Sequence, residues 1–191
     1  EAFQHPTKVI GRYMSKEEAD EEVKKGNYVV EEEKGYRRVV ATPKPIDIYE
    51  IDAIKALSDA DQLVIACGGG GIPVLEQGTK LRGASAVIEK DSATAKLADM
   101  LDADTILFLT GVEKVALNYH TPKETLLDTI TSKEATDYVK EGHFPETSML
   151  PKIEASIEFV EKNATRKAII THLDKAKDAI AGKTGTIIVS R

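Results

Sequence analysis

A chain of 191 residues, 41% hydrophobic and 30% charged, is long enough to bury one ordinary core, and no apolar run approaches the roughly 20 residues of a membrane-spanning helix. A formal net charge of −6 argues against a general nucleic-acid binder, and a single cysteine excludes a disulfide framework, so a reducing cytoplasm is the expected home. The mean hydropathy of −0.27 fits a soluble protein, and no stretch has the pattern of a secretory leader.

The chain opens on EAFQHPTKVIG, without an initiator methionine and in what reads as a loop, as in a processed or partial polypeptide. Glu17 to Lys25 is a charged helical stretch, and NYVVEEEKGYRRVV carries two β-prone runs around Lys34-Gly35, which predicts a hairpin. Pro43 and Pro45 mark a junction after this small, polar segment. Ile48, Ile51, Ile54 and Leu57 then recur at helical spacing, and Leu63–Cys67 reads as a buried strand. Ser85–Glu89 reads as a second short strand, followed by a helix marked by Ala93, Leu97 and Leu101. Thr105–Leu109 is expected to be a fully buried strand and Val115–Leu117 another, with helices over Ser132–Lys140 and Pro151–Lys162. Strands at Ala168–Thr171 and Thr186–Val189 flank a helix near Leu173–Ile180. Continuous apolar strands alternating with amphipathic helices predict an α/β fold with a mostly parallel sheet covered on both faces. In such sheets ligands sit beyond the carboxyl ends of the strands.

At that place the sequence reads CGGGGIPV, with Gly68, Gly69, Gly70 and Gly71 in a row. Ordering four residues without side chains is entropically expensive. Either they form a flexible surface loop, or their bare N–H groups cradle an anion. Neither common phosphate fingerprint fits. The GKT at Gly182–Thr184 lacks the upstream glycine of a Walker A loop, and a Rossmann turn needs a third glycine near Pro73. Cys67 reads as a small core residue rather than a nucleophile.

Three lysines stand in unusual places. Pro151 suits the first position of a helix, which puts Lys152 in the first turn, where positive charge opposes the helix dipole. It is either a solvated lysine or the partner of an anion at that helix end. Lys90 and Asp91 stand where a strand gives way to a helix, and Asp91 is either an N-cap or part of a site. Lys8, between Pro6 and Gly11, reads by itself as a surface residue. His5, His120, His143 and His172 have no metal-ligand spacing and no nucleophile partner, and no carboxylate pair is arranged for acid–base work.

In order along the chain, HPTKVIG, YRRVVATPKP, CGGGGIPV, AVIEKDSATAKLA, LTGVEKVALNY, EGHFPETSMLPKIEA and GKTGTIIV resemble the motifs of the carbamate kinases, a branch of the amino-acid kinase superfamily. Within that superfamily, CGGGGIPV and SMLPK favour the carbamate kinases over acetylglutamate, aspartate or uridylate kinases. The resemblance covers essentially the whole chain, but family chains begin well upstream with a further glycine loop carrying a Gly-Gly-Asn signature, which is not found here.

The resemblance implies a three-layer αβα sandwich with a mostly parallel central sheet. Residues 4–45 would be a protruding α+β subdomain that closes over the active site, and residues 46–191 the nucleotide-binding α/β portion. It implies reversible phosphoryl transfer between ATP, carried with Mg²⁺, and carbamate, with no residue of the chain as a metal ligand. It assigns catalytic roles to Lys8, Lys90 and Lys152, oriented by Asp91. Gly68 to Gly71 would touch the carbamate or the phosphoryl group, and Thr110, Gly111, Val112, Tyr119 and Met149 the nucleotide. A cytoplasmic homodimer working toward ATP in arginine breakdown through the deiminase route is implied as well. Two alternatives stay open: another carboxylate kinase of the superfamily, and a nucleotide- or anion-binding protein without turnover.

Overall fold

The computed structural model describes residues 2–191. Their contacts divide the chain into two units: residues up to Pro45 join Cys67–Lys90, and Ile46–Ala66 join Asp91–Arg191.

In the first unit β1 (Lys8–Met14), β2 (Tyr28–Glu32) and β3 (Gly35–Val40) form an antiparallel sheet in the order β1-β3-β2, with α1 (Lys16–Lys24) between β1 and β2 in the chain. A capping box starts α1: the Ser15 hydroxyl accepts from the Glu18 N–H at 3.3 Å, and the Glu18 carboxylate accepts from the Ser15 N–H at 2.9 Å. The hairpin around Lys34-Gly35 is present as β2 and β3. The opening segment, however, is no loop from Lys8 onward. Its few apolar residues find a partner far away in sequence, Val9 pairing with Val39 in a ladder interrupted after Ile10. A second hairpin, β4 (Val74–Gln77) with β5 (Lys80–Gly83), is exposed along its length. The strand expected at Ser85–Glu89 reduces to one parallel bridge, Ala41 to Ala86, continued by a Val87 N–H bond to the Ala41 carbonyl at 2.9 Å.

The second unit begins with α2 (Ile51–Asp59) and continues from α3 (Lys90–Met100), whose first residue belongs to the first unit. There follow β6 (Thr105–Thr110), β7 (Ala116–Leu117), β8 (Thr125–Leu126), β9 (Thr129–Thr131), α4 (Ser132–Lys140), α5 (Leu150–Glu161) and β10 (Lys167–His172). The helix expected near Leu173–Ile180 is split into a 3₁₀ turn, Leu173–Lys175, and α6 (Ala176–Ile180), and β11 (Thr186–Val189) closes the chain. The main sheet runs β6-β10-β11-β9, parallel at β6–β10 and β11–β9 and antiparallel at β10–β11. Four consecutive residues of β10, Ala168 to Thr171, are buried, so both faces of this strand are covered, as expected of an α/β sheet. On α5 the buried residues Lys152, Ile153, Ala155, Ser156, Phe159 and Val160 recur at helical spacing, one stripe facing the core.

The strand expected over Leu63–Cys67 does not form. Leu63 and Ile65 are 95% and 93% exposed, no ladder of the described residues includes the segment, and Cys67 sits half-buried in a left-handed turn at φ 61°. Apolar content favours a strand only where neighbouring strands supply hydrogen bonds and cover. No helix among the described residues is long and apolar enough to cross a membrane.

Candidate active site

Lys152 lies on the buried stripe of α5, in its first turn, next to Pro151 at the helix start. The residue is only 8% exposed, and Asp91 only 3%. The Lys152 ammonium donates to both Asp91 oxygens, at 3.0 and 3.1 Å, and stands 6.0 Å from the centre of the Phe108 ring. Since α3 begins at Lys90, Asp91 sits inside the first turn rather than at the cap. A carboxylate there is favoured by the helix dipole, and a short acid on α3 meets the longer lysine. Of the two readings left open for Lys152, a solvated surface position is thus excluded.

In the first unit the carboxylate between Lys8 and Lys90 is that of Glu89, a residue sequence reasoning passed over. Its two oxygens divide the work: one accepts from the Lys8 ammonium at 2.7 Å, the other from the Lys90 ammonium at 2.9 Å. Burial alone would push the Glu89 carboxyl up. Hydrogen bonds from Lys8 and Lys90, and their charges, outweigh that and hold it below the usual carboxylate range. The available signal was an acid closing the apolar run AVI, directly before a lysine.

The tetraglycine turn explains itself at one position. At Gly70, with φ 138°, an added Cβ would fall 1.9 Å from the Ile88 carbonyl oxygen, so main chain meets main chain there. Gly68, Gly69 and Gly71 face open space. The close approach demanded by Gly70 therefore comes from the protein's own backbone, and the N–H of Gly70 is taken by the Cys67 carbonyl at 2.7 Å.

Thr110 ends β6 in register with His172 at the end of β10, which sets Thr110, Gly111 and Val112 at the carboxyl edge of two parallel strands. Beyond them, Glu113 accepts from the Thr184 hydroxyl, which with Lys175, Lys114 and His172 lowers its carboxyl pKa despite some burial. A cavity of about 500 Å³ in the second unit is lined by Tyr119, Asn118, His143, Phe144, Pro145 and Leu150, among others. Asn118 and His120, both at positive φ, flank Tyr119, which is 44% exposed at this cavity. Met149 packs on the hydrophobic core immediately before α5, so core packing accounts for it at least in part.

Lysine–carboxylate pairs and strand ends such as these do not by themselves single out a fold family, and comparison with known proteins does. The sequence profile of the amino acid kinase family matches residues 9–172. The chain belongs to the amino acid kinase family. Within this family it is 53% identical to the carbamate kinase-like protein YqeA of Escherichia coli (strain K12), over 98% of this chain and 61% of that protein. It is 49% identical to the carbamate kinase of Clostridium perfringens (strain 13 / Type A), over 98% of this chain and 60% of that one. The structure of the carbamate kinase from Giardia lamblia bound to AMP-PNP superposes with a TM-score of 0.90 at 40% identity, covering 98% of this chain and 60% of that one. This amino acid kinase chain thus spans about three-fifths of the length of those curated relatives.

Proposed function

We propose that this protein carries out reversible phosphoryl transfer between Mg·ATP and carbamate, giving ADP and carbamoyl phosphate. The observation that carries the reading is the desolvated Lys152–Asp91 pair at the start of α5. Burying an ion pair costs several kcal/mol in desolvation and stabilises a fold weakly compared with apolar packing, so a pair retained at a helix N-terminus calls for a role in chemistry. The names of its relatives, carbamate kinases at about half identity and one structure with AMP-PNP bound, support the choice of substrates.

The chemistry suits a chain without an evident general base. The carbamate oxygen is already anionic at neutral pH, so no proton has to be removed before it attacks. The bond from the γ-phosphorus to the β–γ bridging oxygen breaks, a bond from that phosphorus to the carbamate oxygen forms, and ADP leaves with the bridging oxygen. The difficulty is to bring one anion against another and to stabilise charge spread over the moving phosphoryl group. In this reading Lys8, Lys90 and Lys152 supply positive charge, Asp91 keeps the Lys152 ammonium aimed, and the exposed glycines Gly68, Gly69 and Gly71 offer main chain to the small anion. Thr110, Gly111 and Val112 border the nucleotide, with Tyr119 and the cavity behind it receiving the base and Met149 backing that wall. Mg²⁺ arrives on the phosphates as part of the substrate. A cytoplasmic homodimer that runs toward ATP in arginine breakdown completes the reading.

A coupled assay of ADP formation from Mg·ATP, across carbamate and larger carboxylate acceptors, tests it. ADP release that depends on carbamate and on none of the larger acids is expected. A larger acid as the preferred acceptor, or nucleotide binding with no transfer to any of them, would overturn it.

A further inference from the structure

The segment that carries Glu89 is fixed from two sides within the first unit. Lys8 opens β1 opposite Val40 of β3, and the next residue after Val40, Ala41, makes the parallel bridge to Ala86. The end of β3 thus carries both Lys8 and the start of the 86–89 segment. Gly70 packs beneath, its missing Cβ leaving room for the Ile88 carbonyl. Glu89 emerges from this braced segment with its side chain 15% exposed, whereas those of Lys8 and Lys90 are 40% and 55% exposed. The least exposed member of the trio is the acid, and the two more exposed ammonium groups gather on it.

We propose that Glu89 is a positioning residue of the kinase site, a fixed carboxylate that pins the Lys8 ammonium to the Lys90 ammonium. The inference rests on the functional reading above. With both oxygens engaged, Glu89 keeps two like charges side by side that would otherwise splay apart, and concentrates positive charge in one place for phosphate oxygens. Neutralising it leaves the positive charge in place but removes the anchor.

The test uses Glu89→Gln and Glu89→Asp in the same chain, with two separate readouts. In steady-state turnover, Glu89→Gln should lower kcat about tenfold or more while KM for Mg·ATP stays level or falls, because orientation is lost and attraction for the nucleotide is not. Glu89→Asp, which restores the charge on a shorter stem, should recover part of kcat. Independently of turnover, limited acylation read by mass spectrometry should label Lys8 faster in Glu89→Gln than in the parent, with buried Lys152 as the control for intact folding. Equal Lys8 labelling in parent and Glu89→Gln overturns the proposal, as does a rise in KM together with a fall in melting temperature that Glu89→Asp does not relieve. A parent chain with no carbamate-dependent turnover sinks the functional reading instead, and the Lys8 labelling then decides the anchor alone.

Discussion

Gly69 and Gly70 are neighbours in a run of four identical residues, yet they answer to different constraints. A Cβ on Gly70 would collide with the Ile88 carbonyl at a φ that L side chains rarely adopt, whereas one on Gly69 meets open space. Gly70→Ala should therefore lower stability by at least about 2 kcal/mol. Gly69→Ala should fall within about 0.5 kcal/mol of the parent. Chemical denaturation separates the two. If the turn also receives the small anion, Gly69→Ala should raise KM for carbamate while leaving the unfolding midpoint unchanged, and an unaltered KM would remove Gly69 from the site. The run of glycines announced a close approach in the sequence, but not what approaches, because its partner, Ile88, lies eighteen residues on and only the folded backbone brings it near. Lys152 was legible as out of place. Its depth came from a periodicity shared with Ile153, Ser156 and Phe159 that a helix-dipole argument does not weigh. Glu89 was missed because an acid beside a single lysine looks solvated until the fold delivers Lys8 to it.

At the scale of elements, the readings that held are those that rest on local periodicity: α4 and α5, the hairpin of β2 and β3, and the strands β6, β10 and β11, although β6 is not buried throughout as expected, Leu109 being 40% exposed. Those that failed depend on distant partners. β1 pairs across some thirty residues with β3, and Leu63–Cys67, though apolar, joins no ladder among the described residues. One tertiary clamp between elements makes a pH prediction. Arg166, 5% exposed, donates to Asp99 at 2.8 Å and to Asp102 at 2.9 Å, linking the start of β10 to the end of α3. Hydrogen bonds from Lys162 and Arg166 hold the Asp99 carboxyl below its ordinary range. Because the folded value lies below the unfolded one, this contribution is fully present above the ordinary aspartate range and is lost as pH falls through the lowered value. Asp99→Asn should thus destabilise the chain at pH 7 by about 1–3 kcal/mol, and the gap to the parent should close as both are acidified. A gap that persists unchanged into strong acid would mean that packing, not charge, accounts for the loss.

For the molecule as a whole, the catalytic proposal requires that the Lys152–Asp91 pair serve phosphoryl transfer rather than folding. A single substitution cannot separate these roles, since Lys152→Met alone takes the ammonium away from a buried carboxylate, at a cost of about 3–5 kcal/mol. The double variant Asp91→Asn/Lys152→Met removes both charges at once and keeps similar volumes. Its carbamate-dependent kcat, measured alongside its melting temperature, is the most direct test. The expected result is a folded protein melting within a few degrees of the parent, with kcat reduced about a hundredfold or more. A folded double variant that turns over carbamate at the parent rate would contradict the account.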